Sequence, residues 1–170
     1  MKCVKTVAVW GCGALIVGLS ACSNIDCPLD NIVSLQCNLY DANTQSALTL
    51  GDVLSVTPAG RDTLLLNQAT GIKSFLLPLK EAGTQDTLLL HFANAEGGVQ
   101  VDTLFVNHTP QPHFESLDCP NSVFHTLNAV SVSAQATASG AIVDSVSLVR
   151  SIVNYDDVEN IRLFIRTAAK

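Results

Sequence analysis

Aromatic residues are scarce in this 170-residue chain, at 5% with a single Trp and two Tyr. Stacking platforms for sugars and nucleobases are built from such rings, so recognition of either has little to work with. Basic residues are also sparse, nine Lys and Arg against fifteen Asp and Glu. Nucleic acid and anionic surfaces call for Lys/Arg-rich faces, and an acidic chain excludes nucleic acid as a partner. No Gly-x-Ser-x-Gly elbow surrounds any serine, and no glycine loop is built to cradle phosphate. A Cys-x-x-Cys redox pair is absent as well. The chain therefore reads as non-enzymatic, with no cofactor implied. No stretch carries a convincing helical period; a short helix at Asp156 to Asn160 is the one exception considered, since Asp suits a helix start.

What is present begins with the first residues. Lys2 and Lys5 precede an apolar run from Val7 to Val17 that ends in Leu19-Ser20-Ala21-Cys22. That order is the order of an export signal. The run falls short of the ~20 apolar residues that cross a bilayer. Ser20 and Ala21 suit a peptidase cleft, and the pattern resembles the bacterial lipobox, in which the Cys sulfur takes a diacylglycerol before cleavage. Residues 1–21 are read as a cleaved lipoprotein signal peptide, 22–26 as a lipidated tether and 27–170 as a single domain. The membrane is then a partner through the lipid on Cys22. The expected place is the cell envelope, anchored in the outer membrane, with periplasmic and surface-facing orientations both open. Removing the leader leaves seven basic against fifteen acidic side chains.

The remainder is rich in Val, Leu, Thr and Ser, a strand composition, and period-two alternation recurs along it. Val33, Leu35, Cys37 and Leu39 share one face of a strand. So do Val99, Val101, Thr103 and Phe105, and near the end Ile161, Leu163 and Ile165 point away from Arg162 and Arg166. Further strands are predicted at Asp52 to Thr57, Asp62 to Leu66, Ile72 to Leu77, Asp86 to Phe92, Asn128 to Ala134 and Ile142 to Val149. Glycine-bearing turns separate them. Eight or nine short strands at this spacing predict an all-β fold, an antiparallel β-sandwich of immunoglobulin-like or related type, with a small β-barrel as the alternative.

Four cysteines follow the leader: Cys22, Cys27, Cys37 and Cys119. With Cys22 acylated, an oxidising compartment leaves one disulfide and one free thiol. Cys37 sits on an apolar strand face and reads as a buried, inert thiol. Cys27 and Cys119 are the expected pair, and the loop they close would contribute about 4 to 5 kcal/mol in the chain-entropy model. His108, His113, Glu115 and Asp118 gather around Pro110 and Pro112, with His125 beyond. They are the candidate metal ligands, but their spacing matches no zinc template, and the favoured reading is a rigid, hydrogen-bonded loop. The phrase Asp-Thr-Leu recurs at Asp62, Asp86 and Asp102, with Asp144-Ser145-Val146 a looser copy. Unequal spacing argues against a solenoid. It reads as Asp closing a turn while Thr and Leu open a strand.

Several phrases together resemble a family of uncharacterised lipoproteins from Bacteroidetes, a domain of unknown function. They are Asp26-Cys27-Pro28-Leu29, Asp62-Thr63-Leu64-Leu65-Leu66-Asn67, Val106-Asn107-His108-Thr109, Pro112-His113-Phe114-Glu115-Ser116, Asp118-Cys119 and Val153-Asn154-Tyr155-Asp156. The resemblance places Cys27 and Cys119 in the family pattern and supplies no activity or catalytic residue. It implies O-glycosylation in Asp-Thr/Ser-apolar contexts, with Thr63, Thr87, Thr103 and Ser145 as candidates. Thr103 is the doubtful one, because it shares a face with Val101 and Phe105. The function expected is a lipid-anchored envelope module that binds another envelope protein or a polymer. A metal- or small-ligand-binding module using the 108–118 loop is the alternative.

Overall fold

The computed structural model describes residues 32–116, 119–133 and 141–167, and the described residues are all-β. Ten strands run in chain order: β1 (Ser34–Asp41), β2 (Val53–Pro58), β3 (Leu66–Ala69), β4 (Ser74–Pro78) and β5 (Gln85–Ala93). They are followed by β6 (Val99–His113), β7 (Ser122–Ser133), β8 (Ile142–Leu148), β9 (Ile152–Val153) and β10 (Ile161–Arg166). Four form one sheet in the order β4-β1-β10-β8, and six form a second in the order β3-β2-β5-β6-β7-β9. One of the sheets forms a half-barrel, and together they make a β-sandwich.

Alternating apolar residues cause this packing, because a strand puts successive side chains on opposite faces. Leu35, Cys37 and Leu39 of β1 and Ile161, Leu163 and Ile165 of β10 enter the core from one sheet. Leu54 and Val56 of β2, with Leu88, Leu90 and Phe92 of β5, meet them from the other. The antiparallel expectation needs one amendment. β1 and β10, the first and last strands, pair in parallel, from Cys37↔Ile161 to Asp41↔Ile165. Parallel neighbours need a long crossover, and here the whole intervening chain serves as one.

β6 departs further from expectation. Its core face is Gln100, Asp102, Leu104, Val106 and His108, while Val101, Thr103 and Phe105 lie half-buried on the outside. The polar residues go in because the interior satisfies them. Gln100 Nε2 donates to Asp102 Oδ1 at 3.0 Å, and Asp102 Oδ2 accepts the backbone N–H of Val143 at 2.7 Å.

The segment around Pro110 and Pro112, expected to be a loop, continues β6 to His113 in register with β7, with Pro110 opposite His125 and Pro112 opposite Val123. The backbone N–H of His108 donates away from β7, to Thr84 O at 2.9 Å. Alternation then aims the nitrogens of Pro110 and Pro112 to that same side, where β5 has already ended at Gln85↔Asn107. Proline is tolerated where a ladder needs no donor.

Two other expectations shift. The strand expected at Asp62 to Leu66 starts only at Leu66, since Arg61 to Leu64 are exposed and burial resumes at Leu65. The short helix at Asp156 to Asn160 does not form. Asp156 N instead takes Asn154 Oδ1 at 3.1 Å in a local turn, an alternative that outcompetes a helix too short to offset its nucleation cost.

Candidate functional site

Three neighbouring strands bring polar side chains to one place inside the sandwich. Asp86 stands at the start of β5, His108 on β6 and His125 on β7, all buried. His108 Nε2 lies 2.9 Å from Asp86 Oδ2, and His108 Nδ1 lies 3.1 Å from His125 Nδ1, with the rings edge to face. A carboxylate only accepts, so His108 donates from Nε2. The contact between the two Nδ1 atoms holds one proton, carried by either ring. Lys80 closes the network from the connection before β5, its N–H reaching Asp86 Oδ2 at 3.0 Å and its Nζ lying 3.5 Å from Oδ1. Burial, followed by the charge of His108, pulls His125 down from its ordinary value to about 4, with Asp86 opposing.

Each member of the Asp86–His108–His125 chain has a partner inside the fold, and internal partners are what make buried polar groups tolerable. With His108 fully buried and Asp86 nearly so, the chain braces β5, β6 and β7 from inside. Asn160 does comparable work on the other sheet. It accepts Gln36 N at 3.0 Å and donates to the carbonyls of Arg150 at 3.2 Å and Ile152 at 2.8 Å.

The candidate metal ligands part company. His108 and His113 are five positions apart on one strand and so face opposite ways. His113 is half-exposed outside, bonded to Glu115 Oε1 at 3.0 Å and stacked on Phe124 with centroids 4.2 Å apart. Tyr155 packs edge-on against both rings and donates to Ser122 Oγ at 2.8 Å. Asp118 lies outside the described residues. Among the described residues no group of three or more His, Cys, Asp or Glu is arranged to hold a metal ion.

The Asp-Thr-Leu phrase also reads differently in three dimensions. Asp86 and Asp102 are buried within the β5–β6 ladder, each sharing the inner face with its Leu88 or Leu104, while Thr87 and Thr103 face outward and are half-buried. Asp here anchors the interior; only Asp62 lies in a connection. The objection to Thr103 as a glycan acceptor falls, since the face it shares with Val101 and Phe105 is the outer one. Thr63 and Ser145 are exposed, and Asp144 pairs with Arg166.

Cys22 and Cys27 lie outside the described residues. Cys37 is free and fully buried, and burial drives its thiol far above the usual range. Cys119, in the connection from β6 to β7, is not free, and no described cysteine is its partner. The sequence reading missed Asp86 and Asp102 as interior groups. The strict even-number phase Gln100, Asp102, Leu104, Val106, His108 was the available signal, masked by its polar members.

These features define a β-sandwich braced by a closed polar interior. Residues 53–165, more than half of the chain, match a family of unknown function, DUF6452, and the chain belongs to that family. No curated protein and no solved structure matches it.

Proposed function

We propose that this protein is a lipid-anchored, non-enzymatic binding module of the bacterial cell envelope, an outer-membrane lipoprotein of the Bacteroidetes type, holding an extended segment of another envelope protein along β4. The lipobox ending at Cys22 supports the anchor. The observation that carries the binding reading is the edge of the four-stranded sheet. β4 pairs only with β1 among the described strands. The N–H of Leu39 donates to Lys73 O at 2.8 Å, so alternation turns Phe75 and Leu77 toward β1 through Cys37 and Leu35. Ser74 and Leu76 then direct their backbone groups outward. Leu76 is 43% exposed beside this open edge, an unusual apolar invitation on a strand that carries no charge, and strand addition is a common use of such edges.

Cys27 and Cys119 are the proposed disulfide pair. Thr63, Thr87, Thr103 and Ser145 are proposed acceptors of O-linked glycan, with at least one modified in the native host; an intact mass showing acylation alone would refute that last point. The binding reading is tested by affinity capture from envelope extracts with wild type and Leu76→Pro. Proline at 76 removes an outward N–H and leaves the bonds to β1 in place. A partner held by the wild type and lost by the variant, at equal thermal stability, supports the reading. Equal capture by both sinks it.

A further inference from the structure

We infer that the end of the sandwich from which the N-terminus emerges is a lipid-contacting face, which seats the domain against the bilayer in one orientation. The inference rests on the reading that Cys22 carries lipid. The register identifies the end. β1 begins there opposite Pro78, β8 finishes there at Leu148 opposite Ile161, and β6 finishes there at His113 opposite Ser122. The segment from Val149 to Asn160 crosses it, pairing at Ile152 and Val153 with Thr126 and His125 of β7.

Apolar side chains are unusually exposed at this end: Ile32 at 73%, Phe114 at 69%, Ile152 at 51%, Val149 at 47% and Val158 at 45%. They come from three separate stretches of chain, and none belongs to the core cluster. Of the acidic groups beside them, Asp156 pairs with Arg150 and Glu159 with Arg162, Glu115 lies against His113, and Asp157 is exposed. The two arginine pairs lower part of the repulsion that lipid phosphates would otherwise impose. The length of the tether selects the occupant. From Cys22 to Ile32 the chain spans at most ~35 Å when fully extended. A pairing of Cys27 with Cys119, five residues past Phe114, would shorten the free reach to five residues, roughly 17 Å. Such a leash brings this end, and not the opposite one, to the headgroups. The opposite end lies a full β6 length away, 15 residues or about 45 Å.

The test uses the full chain produced in a host that acylates it and reconstituted into phosphatidylcholine vesicles with or without brominated acyl chains. Trp10 is the sole tryptophan and leaves with the signal peptide, so one introduced Trp reports alone. Phe114→Trp and, independently, Ile152→Trp should show blue-shifted emission that brominated lipid quenches. Val99→Trp, in the far hairpin and 62% exposed, should show neither. Acylated protein in which positions 114 and 152 are as unquenched as 99 overturns the inference and leaves the anchor standing. Protein whose mass shows no acyl group overturns both.

Discussion

Replacing Asp102 with Ala tests which way β6 faces. Asp102 is fully buried, and its two oxygens accept from Gln100 Nε2 and from the backbone of Val143, the latter joining the six-stranded sheet to β8. Truncation strands two buried donors at about 1 to 3 kcal/mol each, while removing a buried charge returns part of that cost. The net expectation is a loss of about 3 kcal/mol. With a urea dependence of about 2 kcal/mol per molar for a domain of this size, the unfolding midpoint falls by roughly 1.5 M. Val101→Ala, half-buried on the outer face, should cost less than about 1 kcal/mol. Asp102→Asn, which keeps an acceptor oxygen, should fall between. Urea denaturation followed by circular dichroism checks all three. If Asp102→Ala lay within ~0.5 kcal/mol of wild type, as surface substitutions do, or if Val101→Ala were the costlier change, the inward polar phase of β6 would be wrong.

Three further outcomes follow from the interior and the cysteines. His125 titrates at about 4 when folded and near 6.5 when unfolded, so between these values the unfolded chain binds the extra proton. Stability should therefore fall as pH drops from 6.5 toward 4, by no more than ~3.5 kcal/mol given about 1.4 kcal/mol per unit. His125→Leu should flatten that part of the urea-midpoint profile; an unchanged slope would contradict the assignment. Cys37 should resist maleimide in the native protein and react on unfolding, so rapid native labelling would place it at the surface. Peptide mapping without reductant should recover Cys27 linked to Cys119, and a Cys37–Cys119 peptide would rule that pairing out.

The sandwich was legible where one face of a strand is clearly the more apolar. Leu35, Cys37 and Leu39, or Ile161, Leu163 and Ile165, leave one choice of phase. On β6 both phases carry apolar side chains, and the losing one, Val101 with Phe105, looked better than the winning one, which contains Gln100, Asp102 and His108. What decides between them is the set of partners on β5, β7 and β8, which are remote in sequence. The parallel pairing of β1 with β10 was hidden for a related reason, because alternation marks a face and carries no information on the neighbour's direction. Pro110 and Pro112 disguised the end of β6 as a loop, since their missing donors matter only if a neighbouring strand would need them. The histidine-rich stretch was thus noticed correctly as a concentration of polar groups and divided wrongly, with His108 joining Asp86 and His125 inside while His113 and Glu115 stay out. The glycine-bearing turns were simpler to read. Gly97, at φ 84° in the hairpin between β5 and β6, is a position that L side chains rarely adopt.

The anchor at Cys22 underlies both the proposed location and the orientation of the sandwich, and one measurement addresses it directly. Protein isolated from the membranes of its native host is digested, and its N-terminal peptide is sequenced by mass spectrometry. The peptide should begin at Cys22 and carry the mass of a thioether-linked diacylglycerol. An N-terminus elsewhere, or an unmodified Cys22, would contradict the account.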